Sequence, residues 1–123
     1  METEKYQELV KRLIDKTNRR EIDWKESSFS GVYQVAFSNY SITIGEESSP
    51  RQSAPDYVIS IINSDGNTMD SFSDVTLDAG RDPERGLNYF EILRDLYGKA
   101  RRQALGVDKA LDEILNELDV PPP

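Results

Sequence analysis

The spacing of apolar residues changes twice along this chain, and each change restricts the fold. Between residues 2 and 17 apolar side chains recur every three or four positions, which indicates a helix with one buried face. Between residues 33 and 44 they recur at every second position, which indicates strands. The helical spacing returns from Leu87 onward. This order predicts an α+β domain in which helices cover one face of an antiparallel sheet.

About four strands are predicted, connected as a meander. The alternating runs Tyr33–Phe37 and Tyr40–Ile44 flank Ser38-Asn39, which is short enough for a hairpin turn. Residues 21–30, which precede them, have the pattern of a short extended piece and a loop. The first helix is predicted to stop at Asn18, because asparagine tolerates the left-handed conformation.

The second half of the predicted sheet contains its strongest strand. Tyr57–Asn63 is nearly continuously apolar, which indicates a strand that is covered on both faces or central. Asp65-Gly66 follows and is the clearest hairpin signal, because that turn needs positive φ. A two-residue turn sets Asp70 opposite Ile61, so either the turn is longer or the return strand is an edge with one wet face.

The C-terminal third has two helical stripes separated by Gly106. Asp82-Pro83 predicts an N-cap and a first helical position, whereas Tyr89 falls off the stripe and is expected to be exposed. Asp108 supplies a second cap, so we expect one kinked helix or two in series. The stripes consist of Leu87, Phe90, Leu93, Tyr97, Ala100 and Ala104, then Val107, Leu111, Ile114, Leu115 and Leu118.

The length fits one domain. With 123 residues, the chain is predicted to form a single two-layer α+β domain over residues 1–120, with its N-terminal and C-terminal helices on one face of the sheet. The proline tail 121–123 cannot continue a helix.

Composition excludes several kinds of chemistry. The chain has no Cys and no His, which removes disulfides, thiolate nucleophiles, Ser–His and Cys–His pairs and His-based zinc sites. Its formal net charge of −8 disfavours nucleic acid as a partner. The first residues are charged where a signal peptide is apolar, and no window approaches the roughly 18 apolar residues of a membrane span. We expect a cytoplasmic, non-enzymatic protein without a cofactor or membrane contact.

Four aspartates at intervals of four residues form the best candidate carboxylate cluster for a cation. They would align on a helix, but the segment 73–82 does not have a helical pattern and contains Gly80. No fragment matches a calcium-binding loop. The interpretation is a solvated loop with one helix cap, and no metal site. The residues are Asp70, Asp74, Asp78 and Asp82.

A small-molecule or nucleotide site is one alternative. Arg101 and Arg102 would hold a phosphate or carboxylate, because their guanidinium groups match such anions, and Trp24 and Tyr97 would stack on the ligand. The simpler interpretation is that the basic residues of this helix pair with neighbours such as Asp95, and that Trp24 belongs to the core.

Interaction with protein is the leading hypothesis. Val58 and Ile62 exceed what a one-faced sheet requires, which suggests pairing with a second copy as a homodimer. Leu111 and Leu115 belong to the last helix, 108–119, whose one lysine and five carboxylates give it a net charge of −4. That helix either folds back onto the sheet, which we expect, or extends to a partner. A further alternative is an acidic inhibitor or antitoxin-like partner of a basic protein.

Three stretches carry a resemblance. Ile22-Asp23-Trp24, then Asp65-Gly66 leading into Asp70-Ser71-Phe72-Ser73, and above all LYGKARRQALGVD from Leu96 to Asp108 resemble a loose group of small bacterial proteins with no established activity. The likeness implies a bacterial or mobile-element origin and a specific role for the turn Arg101-Arg102-Gln103. It transfers no catalytic residue.

Overall fold

The computed structural model of the chain describes residues 2–48, 55–79 and 88–119. In these ranges helices lie on one face of an antiparallel sheet, which confirms the α+β prediction. The elements in chain order are α1 (Glu2–Asn18), β1 (Lys25–Glu26), β2 (Val32–Ala36), β3 (Tyr40–Glu47), β4 (Asp56–Asn63), β5 (Thr68–Ser73), α2 (Asp74–Ala79), α3 (Tyr89–Leu105) and α4 (Val107–Asp119).

The sheet is a meander of five strands in the order β1-β2-β3-β4-β5. The strand beyond the predicted four is β1, in which Lys25 pairs with Gln34 and Glu26 with Tyr33. Two residues are too few to show an alternation of apolar and polar side chains, so the sequence indicated only an extended piece. Every pairing in the sheet is antiparallel.

One face of the sheet carries the core. The register places Tyr33 beside Ile44, Ile44 beside Ile59, and Ile59 beside Phe72. These four side chains form a row across four strands, and each is at most 5% exposed. The row on the opposite face consists of small or polar side chains, namely Gln34, Thr43, Ser60 and Ser71. Because only one face is strongly apolar, the helices pack on that face.

The strongly apolar strand β4 is interior to the sheet, but only one of its faces is covered. Tyr57 and Ile59 are buried against the helices. Val58 and Ile62 point to the other face and remain partly exposed. The alternative that β4 is covered on both faces is therefore corrected for the described part of the chain.

The last strand, β5, is an edge strand. The turn before it is longer than two residues, because the Asn63 amide donates to the Asn67 carbonyl and Ile62 pairs with Thr68. Met69 is the extra residue of a β-bulge, which brings Asp70 back opposite Ile61, so both expected alternatives, a longer turn and an edge strand, hold. The Asp70 carboxylate accepts a hydrogen bond from the Tyr6 hydroxyl of α1. Although Asp70 points to the core face of the sheet, its carboxylate therefore has a hydrogen-bond partner at the edge of the sheet.

The buried stripe of α3 overlaps the predicted one at Leu93 and Ala100 and adds Tyr89 and Leu96. Tyr89, Leu93, Leu96 and Ala100 are its buried residues, so Tyr89 is in the core and the expectation that it is exposed is wrong. The N-cap is Asn88, whose Oδ1 accepts from the Glu91 amide at 3.4 Å. The predicted cap Asp82-Pro83 lies outside the described residues.

A short helix, α2, occupies the segment expected to be a loop. Asp74 begins it, and its Oδ1 accepts from the Tyr57 amide at 3.0 Å, which ties the helix to β4. Leu77 is fully buried in the core. The burial of Leu77 and the hydrogen bond of the Asp74 carboxylate hold these six residues in a helix, although their sequence has no helical period. Asp82 and the side chain of Asp78 lie outside the described part.

The two C-terminal helices run in series. The last buried residue of α3 is Ala100, and Gly106 ends the helix with φ 66°, a left-handed C-cap. In α4, which begins at the next residue, no side chain is buried. The side chains expected to fold onto the sheet are instead exposed, from Leu111 at 46% to Leu118 at 74%. That expectation is wrong: Ala104 in the last turn of α3 still packs against the core, whereas the core cluster includes no described side chain of α4.

A pair of leucines tests this division. Leu93→Ala should lower the free energy of unfolding by about 2–5 kcal/mol, because it opens a cavity at a fully buried position. Leu111→Ala should change it by less than about 1 kcal/mol, because the side chain is already half in water. Urea denaturation followed by circular dichroism measures both. Equal losses would mean that α4 packs on the core.

Candidate functional site

The single tryptophan is structural. Trp24 is fully buried, and its indole Nε1 donates to the Thr17 hydroxyl at 2.9 Å. Thr17 in turn donates to the carbonyl of Leu13 at 2.6 Å, so the hydroxyl is satisfied in both directions. With both faces packed, the indole has no surface on which a ligand can stack. Trp24 therefore belongs to the core, as the simpler interpretation of the sequence had it.

The other predicted ligand residues point to different places. Tyr97 and Arg101 line a recess beside Phe29, and the Tyr97 hydroxyl donates to the carbonyl of Gly31 at 2.7 Å. Arg102 is absent from that recess and pairs with Asp108 at 2.6 Å, across the junction of α3 and α4. The structure therefore does not bring Trp24, Tyr97, Arg101 and Arg102 into one pocket.

A basic cleft lies where α1 ends, α3 ends and α4 begins. Its volume is about 360 Å³. Four basic side chains line it, and Asp108 is the one acidic residue in its lining. Such an excess of positive charge stands out in a chain whose net charge is −8. The basic residues are Arg20 from the segment after α1, Lys99 and Arg102 from α3, and Lys109 from α4.

The four cations of the basic cleft have unequal partners. Lys99 Nζ donates to Asn18 Oδ1 at 2.7 Å and pairs with Asp95 at 3.0 Å, the helical neighbour expected from the sequence. Arg102 has its bond to Asp108. Within residues 2–48, 55–79 and 88–119, Arg20 and Lys109 form no ion pair. Two of the four charges are thus available to an anion.

One wall of the cleft is fixed by Gln103. Its Oε1 accepts from the Trp24 amide at 3.0 Å, and its Nε2 donates to the Ile22 carbonyl at 3.2 Å. The amide therefore fastens the chain before β1 to the last turn of α3. This is a structural role for part of the turn that the resemblance singled out, and no spacing in the sequence revealed the partners.

The end of α1 holds Arg20 in an unusual conformation. Its φ is 58°, and it is the only residue other than glycine with positive φ in the described chain. Its amide donates to Thr17 O at 3.1 Å while the Glu21 amide donates to Lys16 O at 3.0 Å, which is the Schellman arrangement. The left-handed residue is thus Arg20, two positions after the predicted stop at Asn18. An L-residue there costs about 1–2 kcal/mol relative to right-handed geometry.

An ion pair spans the Schellman turn at the end of α1. Lys16 and Glu21 pair at 2.6 Å across it, where a hydrophobic contact is usual. The hydrogen bond and the charge of Lys16 lower the pKa of the Glu21 carboxyl. A surface pair therefore supplements the two backbone bonds that hold Arg20.

A second candidate surface is the apolar stripe of α4. Its members are spaced by three and four residues, so they share one side of the helix, and each of them is exposed. The stripe consists of Leu111, Ile114, Leu115 and Leu118.

None of the described helices is long and apolar enough to cross a membrane. The described residues also contain no group of three acidic side chains that could hold a metal ion.

Replacement of Arg20 by glycine should not weaken the fold. Glycine relieves the left-handed strain, and this gain is offset by about 0.5–1 kcal/mol of chain entropy, so the free energy of unfolding should stay equal or rise by up to about 1 kcal/mol. Arg19→Gly is the matched control and should lower it by about as much. Chemical denaturation of both variants decides. A clear loss for Arg20→Gly would contradict the geometry.

Stability should fall at alkaline pH through Tyr97. Burial, and secondarily the neighbouring Tyr33, raise the pKa of Tyr97 from 10.0 to about 12. The unfolded chain therefore loses this proton first, so the contribution is present below pH 10 and is lost as pH rises towards 12. Urea midpoints across that window should decline less in Tyr97→Phe than in the wild type. Identical slopes would show that Tyr97 ionises normally.

Comparison with known proteins gives no relative from which a site could be transferred. No protein-family model, no curated protein and no solved structure matches this chain. The basic cleft and the α4 stripe are therefore interpreted from their own chemistry.

Proposed function

We propose that the chain is a non-catalytic interaction module that binds a second protein through α4. The observation that carries this proposal is the exposed apolar stripe of that helix, in which Leu118 is 74% and Leu115 is 57% exposed. A side of a helix that is apolar and unpacked is typical of helices that insert into a groove of a partner. The absence of His and Cys from the sequence supports a binding role over catalysis.

Charge defines the chemistry of the partner. The flanks of α4 carry five carboxylates against one lysine, so a groove bordered by Lys or Arg side chains is complementary. We therefore propose an apolar groove with a basic rim as the occupant of the stripe. This is the binding mode expected of an acidic inhibitor or antitoxin-like protein. The carboxylates are Asp108, Asp112, Glu113, Glu117 and Asp119.

A second copy of α4 fits the stripe less well. Two such helices would bring net charges of −4 together. A helix of 13 residues is only about 20 Å long, so one helix pair falls short of the roughly 1,200 Å² buried in stable interfaces. A groove, in contrast, encloses the stripe from both sides and offers opposite charge.

Self-association through the sheet is the second candidate function. Val58 and Ile62 lie partly exposed on the face opposite the described helices that cover the core, which favours the pairing of two such faces. Their neighbours on β3, Gly45 beside Val58 and Ser41 beside Ile62, are small, so the contact is flat and contributes little apolar area. We expect it to be weaker than the α4 interaction. A cytoplasmic location fits either mode, because a chain without Cys suits a reducing compartment.

Cross-linking in the expressing cells identifies the partner of α4. A photoreactive amino acid is placed at Ile114 on the stripe, and at Glu113 on the charged side as the matched control. We expect one dominant adduct from position 114 that is absent from position 113. Peptide mapping should locate it in an apolar groove flanked by Lys or Arg. Equal labelling from both positions, or none from 114, would refute the proposal, and an adduct with a second copy would favour self-association.

The identified partner then tests the stripe quantitatively. Leu111→Asp combined with Leu115→Asp should weaken its binding by at least about a hundredfold, because charges replace buried contacts of hot-spot size. Binding of the wild-type protein should weaken with salt. The double variant should keep the wild-type melting temperature, since both positions are exposed. Native mass spectrometry of Val58→Asp tests the sheet separately.

A further inference from the structure

We propose that the basic cleft between α1, α3 and α4 binds the phosphate group of a small phosphorylated ligand. The cleft is distinct from the apolar stripe of α4, and the two proposals stand or fall independently. Three features carry this one: the unfavourable local placement of two cations, their lack of ion-pair partners in the described chain, and the size and polarity of the cleft.

Two of the cations occupy positions that helix chemistry disfavours. Arg20 takes the left-handed position at the end of α1, where glycine is the usual residue. Lys109 lies in the first turn of α4, at the positive end of the helix dipole, where acidic residues are favoured. Both side chains line the same cleft. Local rules broken twice at one surface point to a function of that surface.

The pairing pattern provides both fixed and available donors. The bond to Asp108 holds the Arg102 guanidinium at the cleft, and the bond to Asn18 holds Lys99. Arg20 and Lys109 form no ion pair in the described part of the chain. Guanidinium groups donate two parallel hydrogen bonds to a phosphate, and lysine adds a point charge. An anion in the cleft would therefore find two partly fixed and two unpaired cations.

The dimensions indicate more than a free ion. At about 360 Å³ the cleft falls at the lower end of the range for small-molecule sites. Among the described residues that line it there is no aromatic side chain on which a base could stack, and polar groups such as Asn18 and Gln103 are present. The ligand class that matches is a phosphorylated polyol or sugar. Inorganic phosphate shares the recognised group and serves as the minimal probe.

A titration of the isotopically labelled full-length protein, followed by NMR, tests the site. The probes are inorganic phosphate, pyrophosphate and glycerol phosphate, each at constant ionic strength against chloride. We expect saturable shifts of the amides of Arg20, Gly106 and Lys109. Tighter binding of glycerol phosphate than of phosphate would identify an organic phosphate ester as the ligand, and equal binding would identify the free ion. Both results support the phosphate site.

Three variants separate recognition from general charge. Arg20→Gly and Lys109→Gln should each weaken binding about tenfold or more, the loss expected for one charged hydrogen bond. Lys11→Gln, a matched loss of one exposed positive charge on α1, should leave it unchanged. Arg20→Gly should melt at or above the wild-type temperature, so its defect is not one of folding. Absence of saturable shifts at millimolar probe, or equal weakening in all three variants, would overturn the proposal.

Discussion

The apolar row that crosses the sheet from Tyr33 to Phe72 is the contact on which the architecture depends. Its residues are covered by α3 and α1 on one side, whereas the opposite row has only small or polar side chains. A sheet with one strongly apolar face accepts a single layer of helices. The packing of α3 on the core ends with Ala104 in its last turn, and α4 begins beyond the left-handed Gly106. The core cluster therefore includes no described side chain of α4, and the apolar side chains of that helix are exposed.

The hydrogen bonds of Trp24 connect the C-terminal ends of α1 and α3. Thr17 belongs to α1 and Gln103 to α3, and both bond to Trp24, one through the indole and one through the backbone amide. The two helix ends are therefore fixed relative to each other by satisfied buried polar groups, which have definite directions that apolar contacts lack. The basic cleft is formed on these same helix ends, so hydrogen bonds through Trp24 join its α1 and α3 walls.

The sequence predicts those elements of the fold whose signals are local. The long stripes, the alternating strands and the Asp65-Gly66 hairpin are predictable, because each is a repeated or conformationally demanding signal. The shortest elements, β1 and α2, are not, since two to six residues show no period. Packing with other elements holds them in place: β1 contacts β2 and α3, and α2 is bonded to β4. The predicted stripe of α3 is wrong at Tyr89 because a wide apolar stripe does not reveal which edge is innermost. The cleft has no sequence signal, as it joins residues about 80 positions apart, such as Asn18 and Lys99.

Gly106 forms the junction between the two helices that line the cleft on either side of it. It lies between α3 and α4 in the left-handed conformation, and the cleft takes Arg102 from before it and Lys109 from after it. Rotation at this residue changes the spacing of the cations and the direction of α4 together. An anion held by both sides would therefore bind one interhelical angle best, and a partner of α4 that also contacts α3 would have a preferred angle of its own. By thermodynamic reciprocity, each would then alter the affinity for the other by the same factor.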